Sequence, residues 1–218
     1  MKILLTGASG FLGRGVVDLL SCQGIDTIVA GRRLPHGILA SNFLQVDLLG
    51  SVNFDELVKS SGATHLLHLA WYAEHGKYWN SPINLRWVDA TVRLTEAFCL
   101  AGGQQVVMAG TCAEYDWSTE ALGYGDCHET ETPRRPATAY GQAKLATFEA
   151  ASSEARASGL GLAWGRLFLL YGPHEGEARL VPSIIRAMLA GAKAVDEHFR
   201  DTDGAANLVL RAAFADLY

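Results

Sequence analysis

The sequence lacks the patterns that mark metal-binding, disulfide-rich and membrane proteins. Its four cysteines form no C-x-x-C pair, so we interpret them as reduced thiols of a cytosolic protein. His65 and His68 lie three apart on a predicted strand, which turns them to opposite faces and argues against a zinc site. No apolar run approaches the roughly 20 residues of a membrane span. We therefore predict no bound metal and no membrane partner.

Further absences narrow the function. After Met1-Lys2, the apolar run before Thr6 has only three residues, Ile3–Leu5, too few for a signal peptide, so we expect a cytoplasmic protein. A net charge of −5 and a pI near 5.8 give no electrostatic reason to expect nucleic acid as a partner. The G-x-S-x-G elbow of many hydrolases and the Gly-Lys-Ser/Thr of P-loop enzymes are both missing.

Apolar residues make up 49% of the 218 residues, and short apolar runs alternate with segments of helical periodicity. This alternation predicts an α/β fold, a Rossmann-like doubly wound parallel sheet with helices on both faces. The predicted strands are Ile3–Leu5, Asp26–Ala30, Phe43–Val46, Thr64–Ala70, Gln105–Ala109 and Leu160–Leu170. The predicted helices are one that closes at Gly24 and those at Phe54–Ser60, Asn84–Ala101, 138–158, Val181–Leu189 and Asn207–Asp216.

A glycine-rich turn joins the first predicted strand to the first predicted helix. Its spacing is G-x-x-G-x-x-G, one residue longer at the first step than G-x-G-x-x-G. Such a turn brings backbone N–H groups and the positive end of a helix to a pyrophosphate, although three glycines are also compatible with a plain tight turn. The predicted cofactor-binding residues here are Gly7, Ser9, Gly10, Phe11, Leu12 and Gly13.

The residues after the next strands bear on the choice of cofactor. Arg32 follows Gly13 by 19 residues, where NAD-binding folds place an acid for the ribose hydroxyl. Arg32 and Arg33 instead suit a 2′-phosphate, so we predict that NADP is preferred over NAD, unless both are ordinary surface arginines. Asp47 either accepts from the adenine amino group or caps a turn. The other predicted cofactor contacts are Leu48, Leu69 and Ala70.

Five aromatic residues crowd into the segment 71–87, which follows the fourth predicted strand. Such a loop at the sheet edge can stack on a nucleobase or a sugar. It can equally form a hydrophobic lid or a subunit contact.

Tyr140 and Lys144 are four apart on a predicted helix and so share one face. A neighbouring ammonium favours the phenolate, so we expect Lys144 to lower the pKa of Tyr140 from its usual value near 10. Thr111, at the end of the fifth predicted strand, offers a hydroxyl for a carbonyl oxygen. The three residues can polarise a carbonyl and protonate the developing alkoxide, given a hydride source.

These motifs together resemble the extended short-chain dehydrogenase/reductase family, in its NAD-dependent epimerase/dehydratase branch acting on nucleotide sugars. The resemblance covers about residues 1–190 and rests on T-G-x-x-G-x-x-G at Thr6–Gly13, Asp47-Leu48, His68-Leu-Ala70, Thr111 before Glu114-Tyr115, Tyr140-x-x-x-Lys144, and Arg166 leading to Tyr171-Gly-Pro173. It implies catalytic roles for Thr111, Tyr140 and Lys144, with Lys144 contacting the nicotinamide ribose. It also implies a homodimer formed through 84–101 and 140–158.

The chain departs from the family in three places. Trp87 stands where the family usually has an asparagine, with Asn84 one turn earlier. Cys112 and Ala113 replace the Asp-Glu pair of sugar 4,6-dehydratases, which argues against dehydration. Relatives continue into a C-terminal substrate lobe, so we assign 1–190 to the cofactor domain and 191–218 to a remnant of a reduced or missing lobe.

We therefore predict an NAD(P)-dependent ketoreductase or 4-epimerase that acts on a nucleotide-linked sugar with Tyr140 as acid/base. Reduction is favoured over epimerisation, because NADPH is consumed rather than recycled in place. One alternative is a reductase of a small non-sugar carbonyl compound, and the other is a non-catalytic NADP-binding sensor or scaffold. The sequence does not name the sugar or the nucleotide.

Overall fold

The computed structural model describes residues 1–118 and 126–190. The chain divides into two compact units, Met1–Leu170 and Tyr171–Tyr218. In the second unit the described part contains one helix, which we label α5 (Leu180–Leu189). The predicted helix at 207–216 and the predicted lobe remnant at 191–218 lie outside the described residues.

The first unit contains a six-stranded, fully parallel sheet in the order β3-β2-β1-β4-β5-β6. This confirms the predicted Rossmann-like fold. The strands are β1 (Lys2–Thr6), β2 (Asp26–Gly31), β3 (Phe43–Gln45), β4 (His65–His68), β5 (Gln105–Thr111) and β6 (Gly161–Leu167). Because the strand order reverses between β1 and β4, a crevice opens at the carboxyl ends of these two strands, where folds of this kind bind their ligands.

Helices cover both faces of the sheet. They are α1 (Phe11–Cys22), α2 (Phe54–Ser61), α3 (Ile83–Leu100) and α4 (Ala139–Ser158). Alternate residues of a strand point to opposite faces, so Leu4 packs with α2, α3 and α4 while Leu5 packs with α1. Among the described residues, no helix combines the length and apolar character that crossing a membrane requires.

The predicted elements of the first unit are present, with small shifts at their ends. The largest difference is in β6, which ends at Leu167 rather than Leu170, and β4 ends at His68 rather than Ala70. On one side of β4 the partner strand β1 ends at Thr6, opposite His68, and the chain turns away at Gly7, so β1 provides no further pairing for β4. The residues after Thr111 form a short 3-10 turn, Cys112–Glu114, that the sequence analysis did not predict.

Candidate active site

The glycine loop forms a tight cradle between β1 and α1. A Cβ atom at Gly13 would lie 2.1 Å from the Gly7 carbonyl oxygen, so the helix start packs directly on the loop backbone. Gly7 has φ of +78°, and a Cβ there would lie 2.6 Å from the Ala70 nitrogen. No side chain caps the start of α1 at Gly10. Its first N–H groups are therefore available to an anion, as a pyrophosphate site requires.

The segment after β4 lies against this loop. The Leu69 N–H donates to the Thr6 carbonyl oxygen at 3.2 Å, and the Ala70 N–H donates to the Thr6 hydroxyl oxygen at 3.4 Å. The structure thus brings Leu69 and Ala70 next to Gly7, as the prediction of a shared cofactor crevice requires. The close approach of two backbones leaves space only for glycine at position 7.

The residues predicted to contact the adenosine half of the cofactor differ in how exposed they are. Arg32 and Arg33 follow β2 directly and are exposed. Asp47 is exposed, and its carboxylate accepts from the Leu49 N–H at 3.1 Å, so it caps a turn as one of its two predicted roles states. The Leu48 side chain is buried in the core, which leaves only its backbone for a cofactor contact.

Thr111, Tyr140 and Lys144 come together at the carboxyl end of β5. Thr111 is the last residue of that strand, Tyr140 lies in the first turn of α4, and Lys144 lies one turn later. A side-chain hydrogen bond joins Thr111 to Tyr140. The Lys144 ammonium donates to the Ala109 carbonyl oxygen at 2.8 Å. The predicted catalytic residues are therefore mutually in reach.

The protonation of this group differs from the sequence prediction. Burial raises the pKa of Tyr140 well above its ordinary value, and the hydrogen bond from Thr111 opposes the shift only in part. Burial also lowers the pKa of Lys144 to about 7, against the attraction of Glu114. The expected lowering of the Tyr140 pKa is therefore wrong for the protein without cofactor or substrate. Desolvation thus favours the neutral form of both groups, and at Lys144 it outweighs the attraction of Glu114.

The aromatic segment after β4 surrounds Tyr140. The rings of Tyr78 and Trp79 meet Tyr140 edge-on, with centroids 4.8 and 5.8 Å away, and Trp71 stacks on Trp87 at 5.9 Å. The Tyr140 N–H donates to the Trp79 carbonyl oxygen at 2.8 Å. These contacts form an apolar wall beside the phenol. They are compatible with the predicted hydrophobic lid, and they do not test stacking on a nucleobase or sugar.

Asn84 organises this wall, one turn before the position where the family usually has its asparagine. Its Oδ1 accepts from the Trp71 indole N–H at 2.9 Å, and its Nδ2 donates to the Tyr78 carbonyl oxygen at 2.7 Å. Asn84 is itself buried, so both amide groups require these partners. The sequence analysis noted the residue without predicting these bonds.

Glu114 belongs to a motif that carries the family resemblance, but no role in the site was predicted for it. It is fully buried and accepts the Thr111 N–H at 2.8 Å. Thr111-Cys-Ala-Glu114 has the spacing of a capping box, in which a Thr or Ser precedes a Glu by three residues. That local signal was available in the sequence.

Among the described residues, no group of three or more potential metal ligands is placed to hold an ion.

The sequence profile described as the NAD dependent epimerase/dehydratase family matches residues 3–202. The dTDP-6-deoxy-L-talose 4-dehydrogenase (NAD(+)) of Aggregatibacter actinomycetemcomitans is 28% identical over 206 residues, covering 91% of this chain and 71% of the relative. The UDP-glucose 4-epimerase of Streptococcus mutans is 27% identical over 208 residues, covering 85% of this chain and 60% of the relative.

The solved structure of MoeE5 in complex with UDP-glucose and NAD superposes with a TM-score of 0.70 at 29% identity. The match covers 88% of this chain and 62% of that chain, so this chain spans less than two thirds of the MoeE5 structure. A separate stretch of 31 residues is 74% identical to a glucose-6-phosphate isomerase of Erythrobacter litoralis, but it covers only 6% of that enzyme and carries no functional argument.

Proposed function

The chain belongs to the NAD-dependent epimerase/dehydratase family, and on that basis we propose that it is an oxidoreductase that transfers hydride to or from a nucleotide-linked sugar. The observation that carries this proposal is the meeting of Thr111, Tyr140 and Lys144 at the edge of the sheet that also holds the glycine cradle. The relatives support the substrate class, because they include a dTDP-sugar dehydrogenase and a UDP-glucose epimerase.

The residues of the crevice fit a dinucleotide. The cradle of Gly7 and Gly13 admits a backbone-bound pyrophosphate, and the uncapped start of α1 offers N–H groups to its charge. A bound nicotinamide supplies or accepts the hydride. Lys144 lies one helical turn after Tyr140, and the family resemblance implies that it contacts the adjoining ribose.

In the reductive direction, the Thr111 hydroxyl donates a hydrogen bond to the substrate carbonyl oxygen and holds that oxygen beside Tyr140. Tyr140 then gives its phenolic proton to the alkoxide that forms as hydride reaches the carbon. Because the pKa of Tyr140 is raised, the phenol is protonated at neutral pH before the hydride is transferred. In the oxidative direction the phenolate takes the proton back, and for that step a charged Lys144 is required.

We propose NADP as the preferred cofactor, because Arg32 and Arg33 are exposed at the end of β2, where no acid is present. Several structural neighbours carry NAD, so NAD use is the alternative. With NADPH the reaction is a reduction, whereas a tightly held NAD suits a 4-epimerase. Dehydration is disfavoured, since Cys112 and Ala113 provide no carboxylates.

The aromatic wall around Tyr140 favours a second candidate, a reductase of a small non-sugar carbonyl compound. Flat apolar rings can enclose a small ketone without the contacts to a nucleotide that a separate lobe provides. A non-catalytic cofactor-binding role is the third reading. It predicts cofactor binding without turnover.

The decisive experiment compares wild type with Tyr140→Phe. We expect wild type to oxidise NADPH in the presence of a 4-keto nucleotide sugar, and Y140F to lose at least about a hundredfold in kcat while binding the cofactor normally. Tyr72→Phe is the matched control, because it also removes a phenolic hydroxyl, one that bonds Glu74 and is not part of the group of Thr111, Tyr140 and Lys144. Undiminished turnover in Y140F would remove Tyr140 from its role.

The same assay separates the candidate functions. Simple ketones and aldehydes replace the nucleotide sugar to test the second candidate, and interconversion of UDP-glucose and UDP-galactose tests epimerisation. Cofactor binding with no turnover on any of them supports the third reading. We also propose a homodimer through α3 and α4, as the family resemblance implies. A monomer in sedimentation at the assay concentration would contradict it.

A further inference from the structure

Glu114 is a buried carboxylate to which the proposed reaction assigns no role. Its side chain is fully buried, and both oxygens accept hydrogen bonds. Oε1 accepts from the Thr111 backbone N–H at 2.8 Å and from the Trp164 indole N–H at 3.0 Å. Oε2 accepts from the Arg166 Nε–H at 2.7 Å. One carboxylate therefore ties the end of β5 to two side chains of β6.

Two hydrogen bonds join Thr111 to the short turn that follows it. While Glu114 accepts the Thr111 N–H, the Thr111 hydroxyl oxygen accepts the Ala113 N–H at 3.2 Å. Together they fix the Thr111 backbone and the rotamer of its side chain. Because the oxygen already accepts one bond, the hydroxyl hydrogen is left to be donated, to the Tyr140 oxygen in this structure and to a carbonyl oxygen when substrate is bound.

This turn also sets the distance from Thr111 to Tyr140. A Cβ atom at Gly141 would lie 2.3 Å from the Ala113 carbonyl oxygen, so the first turn of α4 rests on the backbone of the turn. A shift of the turn would therefore move Thr111 relative to Tyr140. The buried side of the turn is occupied by Glu114 alone among its three residues.

The charge of Glu114 is balanced by Arg166, whose side chain is 2% exposed. Arg166 also pairs with Glu129, and Glu129 accepts from the Tyr115 hydroxyl at 2.6 Å. A buried ion pair seldom adds stability over apolar residues of the same size, because desolvation offsets the attraction. Stability alone therefore does not account for a charged pair at this place. What the pair does provide is a carboxylate oxygen of Glu114 that accepts the Thr111 N–H.

We propose that Glu114, neutralised by Arg166, is a positioning residue that fixes the Thr111 hydroxyl beside Tyr140 for the substrate carbonyl oxygen. This inference rests on the proposed function for its catalytic half. Its structural half concerns Thr111 alone and is testable without any substrate.

Two double variants isolate the acceptor. E114Q/R166M and E114M/R166M both remove the two charges and keep the side-chain volumes similar. They differ in one respect, since Gln retains a carbonyl oxygen for the Thr111 N–H and Met does not. E129Q is the control for loss of an ion pair to Arg166. It removes the charge of Glu129 and leaves Glu114 in place as the acceptor of the Thr111 N–H.

The structural readout is the rotamer of Thr111, measured from three-bond couplings to its methyl carbon in protein with isotope-labelled threonine. We expect one rotamer in wild type, E129Q and E114Q/R166M, and an average over rotamers in E114M/R166M. A single Thr111 rotamer in E114M/R166M would overturn the inference. If that variant does not fold, E114D takes its place. It keeps the charge but withdraws the carboxylate by one methylene, and retention of both the rotamer and kcat in E114D would overturn the inference.

The catalytic readout is kcat against KM in the NADPH oxidation assay. E114M/R166M is expected to lose about tenfold or more in kcat with little change in KM, and E114Q/R166M to stay within about threefold of wild type. Equal kcat in the two double variants would overturn the catalytic half. Absence of turnover in wild type would contradict the proposed function instead, and the rotamer comparison would then decide the structural half separately.

Discussion

The ammonium nitrogen of Lys144 lies 3.9 Å from the centre of the Trp71 ring, on the face of the indole. Its hydrogen-bond partner is the Ala109 carbonyl oxygen. Within residues 1–118 and 126–190, no carboxylate forms an ion pair with it, and Glu114 acts on it only from a distance. An aromatic face and one carbonyl solvate an ammonium less well than water does, so the charged form is disfavoured.

We predict that Lys144 titrates near pH 7, because burial lowers its pKa to about 7. The chain has only five lysines, so ¹³C spectra of lysine-labelled protein can follow each of them through a pH titration. One signal should shift near pH 7 and be missing in K144M. The exposed Lys77 is the internal reference, because its hydrogen bond to Glu74 raises its pKa. If no signal titrates near pH 7, the burial of Lys144 is wrong.

His68 predicts a loss of stability in mild acid. It is buried between the Thr6 hydroxyl at 2.8 Å and the Thr91 hydroxyl at 3.0 Å, and burial together with the nearby Lys144 charge lowers its pKa from 6.5 to about 3. Between these values the unfolded chain binds a proton that the folded protein does not. The free energy of unfolding therefore falls as the pH falls from 6.5 towards 3.

The expected size of this effect is up to about 1.4 kcal/mol per pH unit from His68 alone. Urea unfolding at pH 7 and pH 5 measures it, with H68Q as the comparison. Carboxylates titrate in both proteins, so they cancel in the difference. A pH dependence in H68Q as steep as in wild type would show that His68 becomes protonated in the folded protein.

The α/β pattern and the proposed catalytic group of Tyr140 and Lys144 could be predicted from the sequence because their signals are local. Strand and helix periodicity, the glycine spacing, and the four-residue step from Tyr140 to Lys144 all lie within short windows of sequence. The capping box of Thr111 and Glu114 is also local, although its burial is not. The Arg166 that neutralises Glu114 comes from a strand 52 residues later, and only packing brings the two together.

The wrong expectation about Tyr140 has the same origin. An ammonium one helical turn away lowers the pKa of a phenol when both are solvated. The aromatic wall of Trp71, Tyr78 and Trp79 removes that solvent, and these rings precede Tyr140 by some 60 to 70 residues in the chain. The sequence spacing predicts that Tyr140 and Lys144 are neighbours on a helix. It does not predict the desolvation that raises the pKa of Tyr140.

Gly13 and Gly15 offer a matched pair of substitutions on α1. A Cβ at Gly13 would lie within 2.8 Å of the backbone of Gly7 and Ala8, whereas a Cβ at Gly15 would meet nothing within 4 Å. We expect G13A to destabilise the fold by about 2 kcal/mol or more and to weaken NADPH binding at least tenfold, because the loop backbone must move. G15A should instead be neutral or more stable by up to about 1 kcal/mol, as alanine favours a helix.

Thermal or urea unfolding and the quenching of tryptophan fluorescence by NADPH measure both quantities. The comparison controls for the change of glycine to alanine itself. If G13A binds NADPH as tightly as G15A does, the loop is not the pyrophosphate site.

The last prediction concerns the cofactor. Arg32 and Arg33 are exposed side chains, and within the described chain they form no ion pair with a carboxylate. A 2′-phosphate placed beyond β2 would give these guanidinium groups a charged partner that the ribose hydroxyl of NADH does not. R32A/R33A is therefore expected to weaken NADPH binding about tenfold or more and to leave NADH binding within about twofold.

Titration of each variant with both cofactors checks this, and K59A/R156A serves as the control for net charge, since it also removes two cations and both residues are exposed. Rising salt should weaken NADPH binding more than NADH binding in wild type, because the contacts are exposed and readily screened. Equal affinity for the two cofactors in wild type would contradict the NADP preference. The hydride-transfer proposal would still stand, and epimerisation with NAD would become the favoured reaction, because no second reductant is then needed.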